Sequence, residues 1–416
     1  MSSPLTSDVA IIGGGLASLT LALSLHKRGI PSTIYEARPE SASTPGALML
    51  SPNSLRILDD LGIYAEIRPH GFSFQTVTFK NDREETTDAY YLGSASQYGY
   101  DCLRVYRQAL LLALRATASR AGIPIHYSHK FSHVVEDGSK NGAITFALAD
   151  GRGTRTASLL VGADGIHSRI RTQVVAPGAA AQYQGRVAIT YATPWERARL
   201  PEGYPCPVSI HGAAGAFVLA PQSPDGKAEL LAGTQVAFPE QDRDGWEALG
   251  ADKERLARMI REGLAGWTQT PRGALADIPV ETLGIWPFYS VPRLRSWASD
   301  GEGRVVVLGD AAHAIPPTAG QGASQALEDA VTFAEVVSMG KVEDEWRKAL
   351  GKWQEYRQQR VDKVLKLTFQ LNNTRLPAEE RAKLKDGEMW QSSGEGELAW
   401  LYSADIVKEL QEFCRT

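Results

Sequence analysis

A short apolar run that enters three glycines, then an apolar helix and a second strand ending in a carboxylate, dictates how the first 36 residues fold. Asp8 to Ile12 reads as a strand, Gly13, Gly14 and Gly15 as a tight turn, Ala17 to Lys27 as a helix, and Pro31 to Tyr35 as a strand leading to Glu36. Strands joined through a crossover helix lie parallel, because the helix carries the chain back to the edge it left. Parallel sheets bury both faces, so the expected fold class is α/β, with helices on both sides of a Rossmann-like sheet.

The chemistry of this unit follows from its turn. Glycines let backbone N–H groups approach a pyrophosphate, the helix N-terminus faces its charge, and an acid about 20 residues on accepts hydrogen bonds from a ribose. Gly13 and Gly15 fill the first two positions of that fingerprint, while Ser18 stands at the third, where helix packs on strand and a small residue suffices. The unit therefore predicts dinucleotide binding, and Glu36 favours an adenosine ribose without a 2′-phosphate, in FAD or NAD. Arg38, just beyond it, joins the expected cofactor-binding set.

Two later segments repeat the pattern of a strand end meeting a helix start. Arg304 to Leu308 is a buried strand that ends in Gly309 and Asp310; Pro316 and Pro317 then force an extended turn, and Gly320 and Gly322 precede a helix expected from about Gln321. Leu159 to Gly165 is a second such strand, placing Asp164 at the same edge, with Arg171 at the helix start that follows. Leu103 to Leu114 reads as the start of a helix with Arg107 near its N-terminal end, a position at which a cation runs against the helix dipole unless an anion sits nearby.

Composition narrows the class of function. At 416 residues, 22% charged and a formal net charge of −4, the chain has room for large cores and carries no basic block, which argues against nucleic acid and for a small-molecule substrate. Cys102, Cys206 and Cys414 are far apart, with neither disulfide nor metal spacing, so no metal and a reducing, cytoplasmic setting are expected. Met1 to Asp8 is short and polar, unlike a signal peptide, and no apolar window is long enough for a membrane span.

GGGLAS, VGADGIHSRIR and GDAAHAIPPTAGQGASQALEDA resemble the glycine, Asp-Gly and Gly-Asp motifs of the FAD-dependent aromatic hydroxylases, the single-component (group A) flavoprotein monooxygenases. RVDKVLKLTFQLNN and ELAWLYSADI extend the likeness to fungal members of secondary metabolism. The resemblance implies that Glu36 binds the adenosine ribose, Arg107 the pyrophosphate and Asp310 the ribityl chain. It places Gly46 and Ala47 beside the flavin, Gly322 and Ala323 by the pyrimidine end of its ring, and Asp164 in a segment serving both FAD and NADPH; Gly320 joins the cofactor-binding set. It implies FAD as cofactor, NADPH or NADH as electron donor, and one oxygen atom of O₂ passed to a small aromatic or polycyclic substrate through a flavin C4a-hydroperoxide. Two positions depart from the family. Ser324 stands where many relatives have asparagine, and Thr190 where many fungal relatives have an active-site arginine; Arg186 is close by on a different register.

Residues 1–73, 101–180 and 288–370 are expected to form a discontinuous FAD-binding domain, residues 74–100 and 181–287 an antiparallel substrate sheet, and residues 371–416 a C-terminal helical segment. Alternation in 187–192, 208–211, 216–220 and 229–234 supports that sheet. Thr190, His211 and Pro317 are the catalytic candidates; Phe217, Gln235, Trp286 and Phe288 are candidates for the substrate pocket. His313 is expected to make local hydrogen bonds. The sequence leaves open hydroxylation, epoxidation or Baeyer-Villiger insertion, the oligomeric state, and two rivals: a reductase or dehydrogenase on the same fold, and a non-catalytic flavin-binding protein. A flavin halogenase is disfavoured, since no W-x-W-x-I-P stretch is present.

Overall fold

Val9–Ile12 lies in the middle of a five-stranded parallel sheet ordered Val305–Val307, Leu159–Gly162, Val9–Ile12, Ser32–Tyr35 and Ile125–His126 in the computed structural model. The structure describes residues 8–138, 142–213, 215–262, 266–339, 343–394 and 396–415, so of the polar lead-in expected over Met1 to Asp8 only Asp8 is described. All four residues of Val9–Ile12 are buried, as are those of Leu159–Gly162, which explains why these strands read as continuous apolar runs. The helices Leu16–His26 and Gly322–Ser338 pack on each other beside the sheet. Ser18 accommodates the close approach of its helix, its hydroxyl 3.5 Å from the Ala163 carbonyl oxygen.

The neighbours of Val9–Ile12 are the second and fourth of this sheet's five strands in chain order, so the winding direction reverses at this strand. Such a switch point opens a crevice beyond the carboxyl ends of the strands. Gly13, Glu36, Ala163 with Asp164, and Gly309 with Asp310 all leave the sheet at that edge.

A second, seven-stranded sheet runs Gly284–Ser290, Gln182–Pro194, Glu229–Ala237, Gly215–Pro221, Val208–Gly212, Thr76–Lys80 and Thr86–Tyr91. It is antiparallel as expected except where Val208–Gly212 pairs parallel with Thr76–Lys80. One face packs on the helices Arg243–Ala251, Lys253–Arg261 and Gln269–Ala276 around a separate apolar core. The other face looks toward the crevice.

One expectation is corrected here. Cys102–Tyr106 is a strand, paired with Ala47–Leu50 and Phe72–Phe74, and the helix starts only at Arg107. Leu103 and Val105 alternate with Arg104 and Tyr106, a period of two that the leucine-rich helix after them hides. The long helix Glu343–Thr374 runs across the position where the C-terminal segment was expected to begin.

Gly322–Ser338 carries a cluster of buried charges. Glu328 accepts from Arg357 and Arg360 at 2.6 Å each, and Asp329 accepts from Arg357 Nε at 2.7 Å. Arg360 also donates to the carbonyls of Trp400 and Leu401, tying the tail to the helix. Asp329 Oδ2 accepts the Gly309 N–H at 2.8 Å and bonds to the His313 ring. His313 thus makes the local bond expected of it, and the cluster fixes the turn that carries Asp310. Among the described residues no helix is long and apolar enough to cross a membrane.

Candidate active site

The crevice is a continuous groove made of two cavities. The first, of 430 Å³, is lined by Gly13, Gly14, Gly15, Glu36, Arg38 and Asp164, together with Lys130, His167 and Arg169. The second, of 310 Å³, is lined by Gly15, Ala47, Arg107, Asp310, Gly320, Gly322 and Ala323, together with Met49 and Arg104. They meet at Gly15, Ala163 and Gly165. Of the residues assigned to the cofactor from sequence, all but Gly46 line this groove, while Lys130, Arg104 and Met49 carried no signal beyond their chain neighbours. Gly46 is not among the lining residues, and its carbonyl accepts the Arg107 N–H at 2.9 Å.

The turn after the first strand is shaped by backbone contact. Gly13 has φ +107°, and a Cβ there would lie 2.4 Å from the Ala163 carbonyl oxygen. Gly15 and Gly322, by contrast, would direct a Cβ into open space. Glu36 is buried and accepts the backbone N–H groups of Gly14 and Arg38.

Two polar atoms of groove-lining residues have no partner among the described residues. Arg107 Nε and Asp164 Oδ1 are sealed from solvent with no hydrogen bond among the described residues. Burial lowers the proton affinity of Arg107, offset in part by Asp310. Burial likewise raises the carboxyl groups of Asp164 and Asp310 above the ordinary range, with His313 and Arg107 pulling Asp310 back. Asp310 is exposed, but to the groove, whose protein walls crowd it. Asp164 Oδ2 accepts the backbone N–H groups of Arg169 and Ile170. Arg171 does not pair with Asp164; its guanidinium donates to the carbonyls of Ala179, Ala311 and Ile166, bracing the segment beside Asp310. The helix Gly322–Ser338 begins without a side-chain cap. Unpaired cation, open glycine cradle and uncapped helix end suit an anionic dinucleotide.

Where the groove ends, Pro317 separates it from two further spaces. One, of 740 Å³, is lined by His167, Trp246, Trp286, Phe288, Tyr289, Asp310, Ile315 and Pro317. The other, of 150 Å³, is lined by Thr190, Gln235, Phe288, Pro317, Thr318 and Arg375 with small apolar residues of the seven-stranded sheet. Trp286 is 48% exposed and carries Arg107 over its ring at 5.6 Å. Thr190, Gln235, Trp286, Phe288 and Pro317 are thus gathered around this junction.

Phe217 and His211 are not among the lining residues. Phe217 lies on the opposite face of the sheet, fully buried with its ring 5.7 Å from that of Trp267. Its neighbours Ala216 and Val218 take the cavity face, because side chains alternate along a strand. His211 shares the cavity face through its pairing with Ala216, but packs on Phe79 and bonds to Ser209. Burial, with Arg375 and Arg381 nearby, pushes its ring down to about 3, leaving it neutral at physiological pH. Ser324 faces Ser51, and Gln321 donates to the same Ser51 hydroxyl at 2.8 Å, so a serine and glutamine network occupies that corner. Arg186 is held by Glu380 at 3.2 Å.

Groove and junction together define a flavin-dependent oxidoreductase. The chain belongs to the FAD binding domain family, which matches residues 6–368, and within it to the single-component flavin monooxygenases. It is 28% identical over 96% of both chains to the 3-amino-4-hydroxybenzoate 2-monooxygenase of Streptomyces platensis. It is 27% identical to the 6-methylsalicylate 1-monooxygenase of Aspergillus terreus, covering 97% of this chain and 90% of that one. In fold it matches a salicylate hydroxylase crystallised with substrate, with a TM-score of 0.77 at 21% identity over 98% of each chain. FAD is therefore the cofactor and the protein is an oxidoreductase. The relatives are bacterial as well as fungal, so the family does not carry the fungal affiliation expected from the tail.

Proposed function

We propose that the protein uses NADPH or NADH and O₂ to insert one oxygen atom into a small aromatic substrate held at the Pro317 junction. The observation that carries this reading is the position of the 150 Å³ cavity, which shares Pro317 with the end of the dinucleotide groove. A space of about 150 Å³ admits a benzene-sized ring. Bound FAD supplies the oxygen chemistry; the chain binds, orients and excludes water. Arg107 and the start of the helix Gly322–Ser338 would offset anionic charge, and Asp310 would accept hydrogen bonds from the ribityl hydroxyls. Glu36 and Arg38 would hold the adenosine end. Thr190 and Gln235 would orient a polar substituent of the ring, while Phe288 and Pro317 keep the space dry.

The division of the chain into a discontinuous FAD-binding domain, a substrate sheet domain and a C-terminal helical segment belongs to this reading, as does a cytoplasmic setting. A role in fungal secondary metabolism is narrower and draws on the tail alone.

Turnover of a hydroxybenzoate under ¹⁸O₂ tests the proposal. One labelled oxygen in the product, with NAD(P)H consumed, is the expected result; a desaturated or reduced product without label would assign the chain to the dehydrogenase reading. Asp310→Ala is expected to weaken FAD binding by on the order of 10–100-fold, as for loss of hydrogen bonds to a charged acceptor. Fluorescence titration of apoprotein with FAD measures it, and an unchanged affinity would remove Asp310 from the ribityl role.

A further inference from the structure

Beyond the long helix, the chain sends a cation into the ring-sized cavity that nothing above uses. Arg375 lines the 150 Å³ cavity with Thr190, Gln235 and Pro317, and also an adjoining space of 140 Å³. Its Nε is sealed from solvent without a partner, and among the described residues its guanidinium makes no hydrogen bond and no ion pair. The backbone is fixed, with the Arg375 N–H donating to the Asn372 carbonyl at 3.0 Å. Burial lowers its proton affinity to about 10, with only the Tyr90 hydroxyl acting the other way. The group therefore stays cationic at neutral pH.

The surrounding charges do not answer it. Among the described residues no carboxylate lines either cavity. His211 is neutral, Arg381 donates to the carbonyls of Thr374 and Leu376, and Glu380 is taken by Arg186 at 3.2 Å. A half-buried cation without a counter-ion is stabilised when an anion enters beside it. A guanidinium fork fits one anion best, a planar carboxylate, through two parallel hydrogen bonds.

We propose that Arg375 is the specificity-determining residue of this site and binds the carboxylate of a single-ring aromatic substrate. The inference rests on the monooxygenase reading and narrows it to aromatic carboxylates. The cavity's size admits the ring, Arg375 takes the acid group, and Thr190 and Gln235 are left for a hydroxyl or amino substituent.

The test compares salicylate and benzoate with salicylamide and benzamide, matched in shape and lacking the charge, by perturbation of flavin absorbance in the holoenzyme. Wild-type protein is expected to bind each acid at least about tenfold more tightly than its amide, as for charge-assisted hydrogen bonds. Arg375→Gln is expected to erase that preference and Arg375→Lys to keep part of it, since lysine retains the charge and loses the fork. Should Arg375→Gln lose its flavin, the wild-type comparison and the lysine variant still decide. Equal binding of acid and amide by wild type, equal weakening of both in Arg375→Gln, or no binding of either acid at millimolar concentration would overturn the proposal. Labelled-oxygen turnover separates the two claims. Selective acid binding without oxygen insertion sinks the monooxygenase reading alone, and insertion into amides as readily as acids sinks the carboxylate site alone.

Discussion

Arg357→Met is expected to lower the unfolding free energy by about 3–5 kcal/mol, the range for breaking a buried ion pair from one side. Arg357 is fully buried and bonds to both Glu328 and Asp329, as well as to Gln325. Burial by itself would raise both carboxyl groups; Arg360 with Arg357 around Glu328, and His313 with Arg357 around Asp329, outweigh it and hold both below their ordinary values. Methionine fills much of the volume, so the loss isolates the charge. Arg360 still serves Glu328, whereas Asp329 is left with His313 and the Gly309 N–H.

The direction of the pH effect follows. A carboxyl group whose folded value is depressed contributes stability that is present above its unfolded value, about 4, and is lost as pH falls through the folded one. Removing Arg357 lessens the depression at Asp329, so the variant should unfold at higher pH than wild type on acidification. Because Asp329 also holds Gly309, FAD should dissociate faster from the folded variant. Urea unfolding at neutral pH and acid titration of both proteins measure this, and a loss under about 1 kcal/mol would show that Arg360 and His313 compensate.

How much of this was legible in the sequence depends on how local each signal is. Gly13, Glu36, Asp164 and Asp310 each sit at the end of a short apolar strand, so pattern and placement lie within a few residues of one another. The seven-stranded sheet was legible in its strands but not in its faces. It is covered by helices on one side and by the cavity on the other, so both sets of alternating positions are apolar, and Phe217 could not be told from Val218 by polarity. Glu328, Asp329, Arg357 and Arg360 resemble ordinary helix surface, since only the packing of two helices distant in sequence shows that they meet. Arg375 shows the same limit most clearly. The strand position compared with relatives holds Thr190, and the cation of that cavity arrives from the end of a helix in another part of the chain.

Gly13→Ala should weaken retention of FAD severely, and comparison with Gly15→Ala should show why. At Gly13 the added methyl carbon would lie 2.4 Å and 2.9 Å from the Ala163 carbonyl oxygen and carbon, and 3.1 Å from Asp164 Cα. All three are backbone atoms of the turn that follows the adjacent strand, so no side-chain rotation relieves the clash, and φ +107° is itself strained for alanine. Backbone strain of this kind costs on the order of 1–3 kcal/mol before the clash is counted, so a combined loss corresponds to about 100-fold or more in FAD affinity, together with a less stable apoprotein. At Gly15 a methyl group meets nothing within 4 Å. That opening belongs to both halves of the groove, so Gly15→Ala should leave apoprotein stability within about 0.5 kcal/mol of wild type. It should nevertheless weaken FAD by on the order of tenfold or more by intruding on the pyrophosphate. Thermal unfolding of the apoproteins and FAD titration of each separate the two effects. If Gly15→Ala destabilised the apoprotein as much as Gly13→Ala, the glycine turn would be a packing feature of the sheet edge, and its role as a cofactor cradle would lose its support.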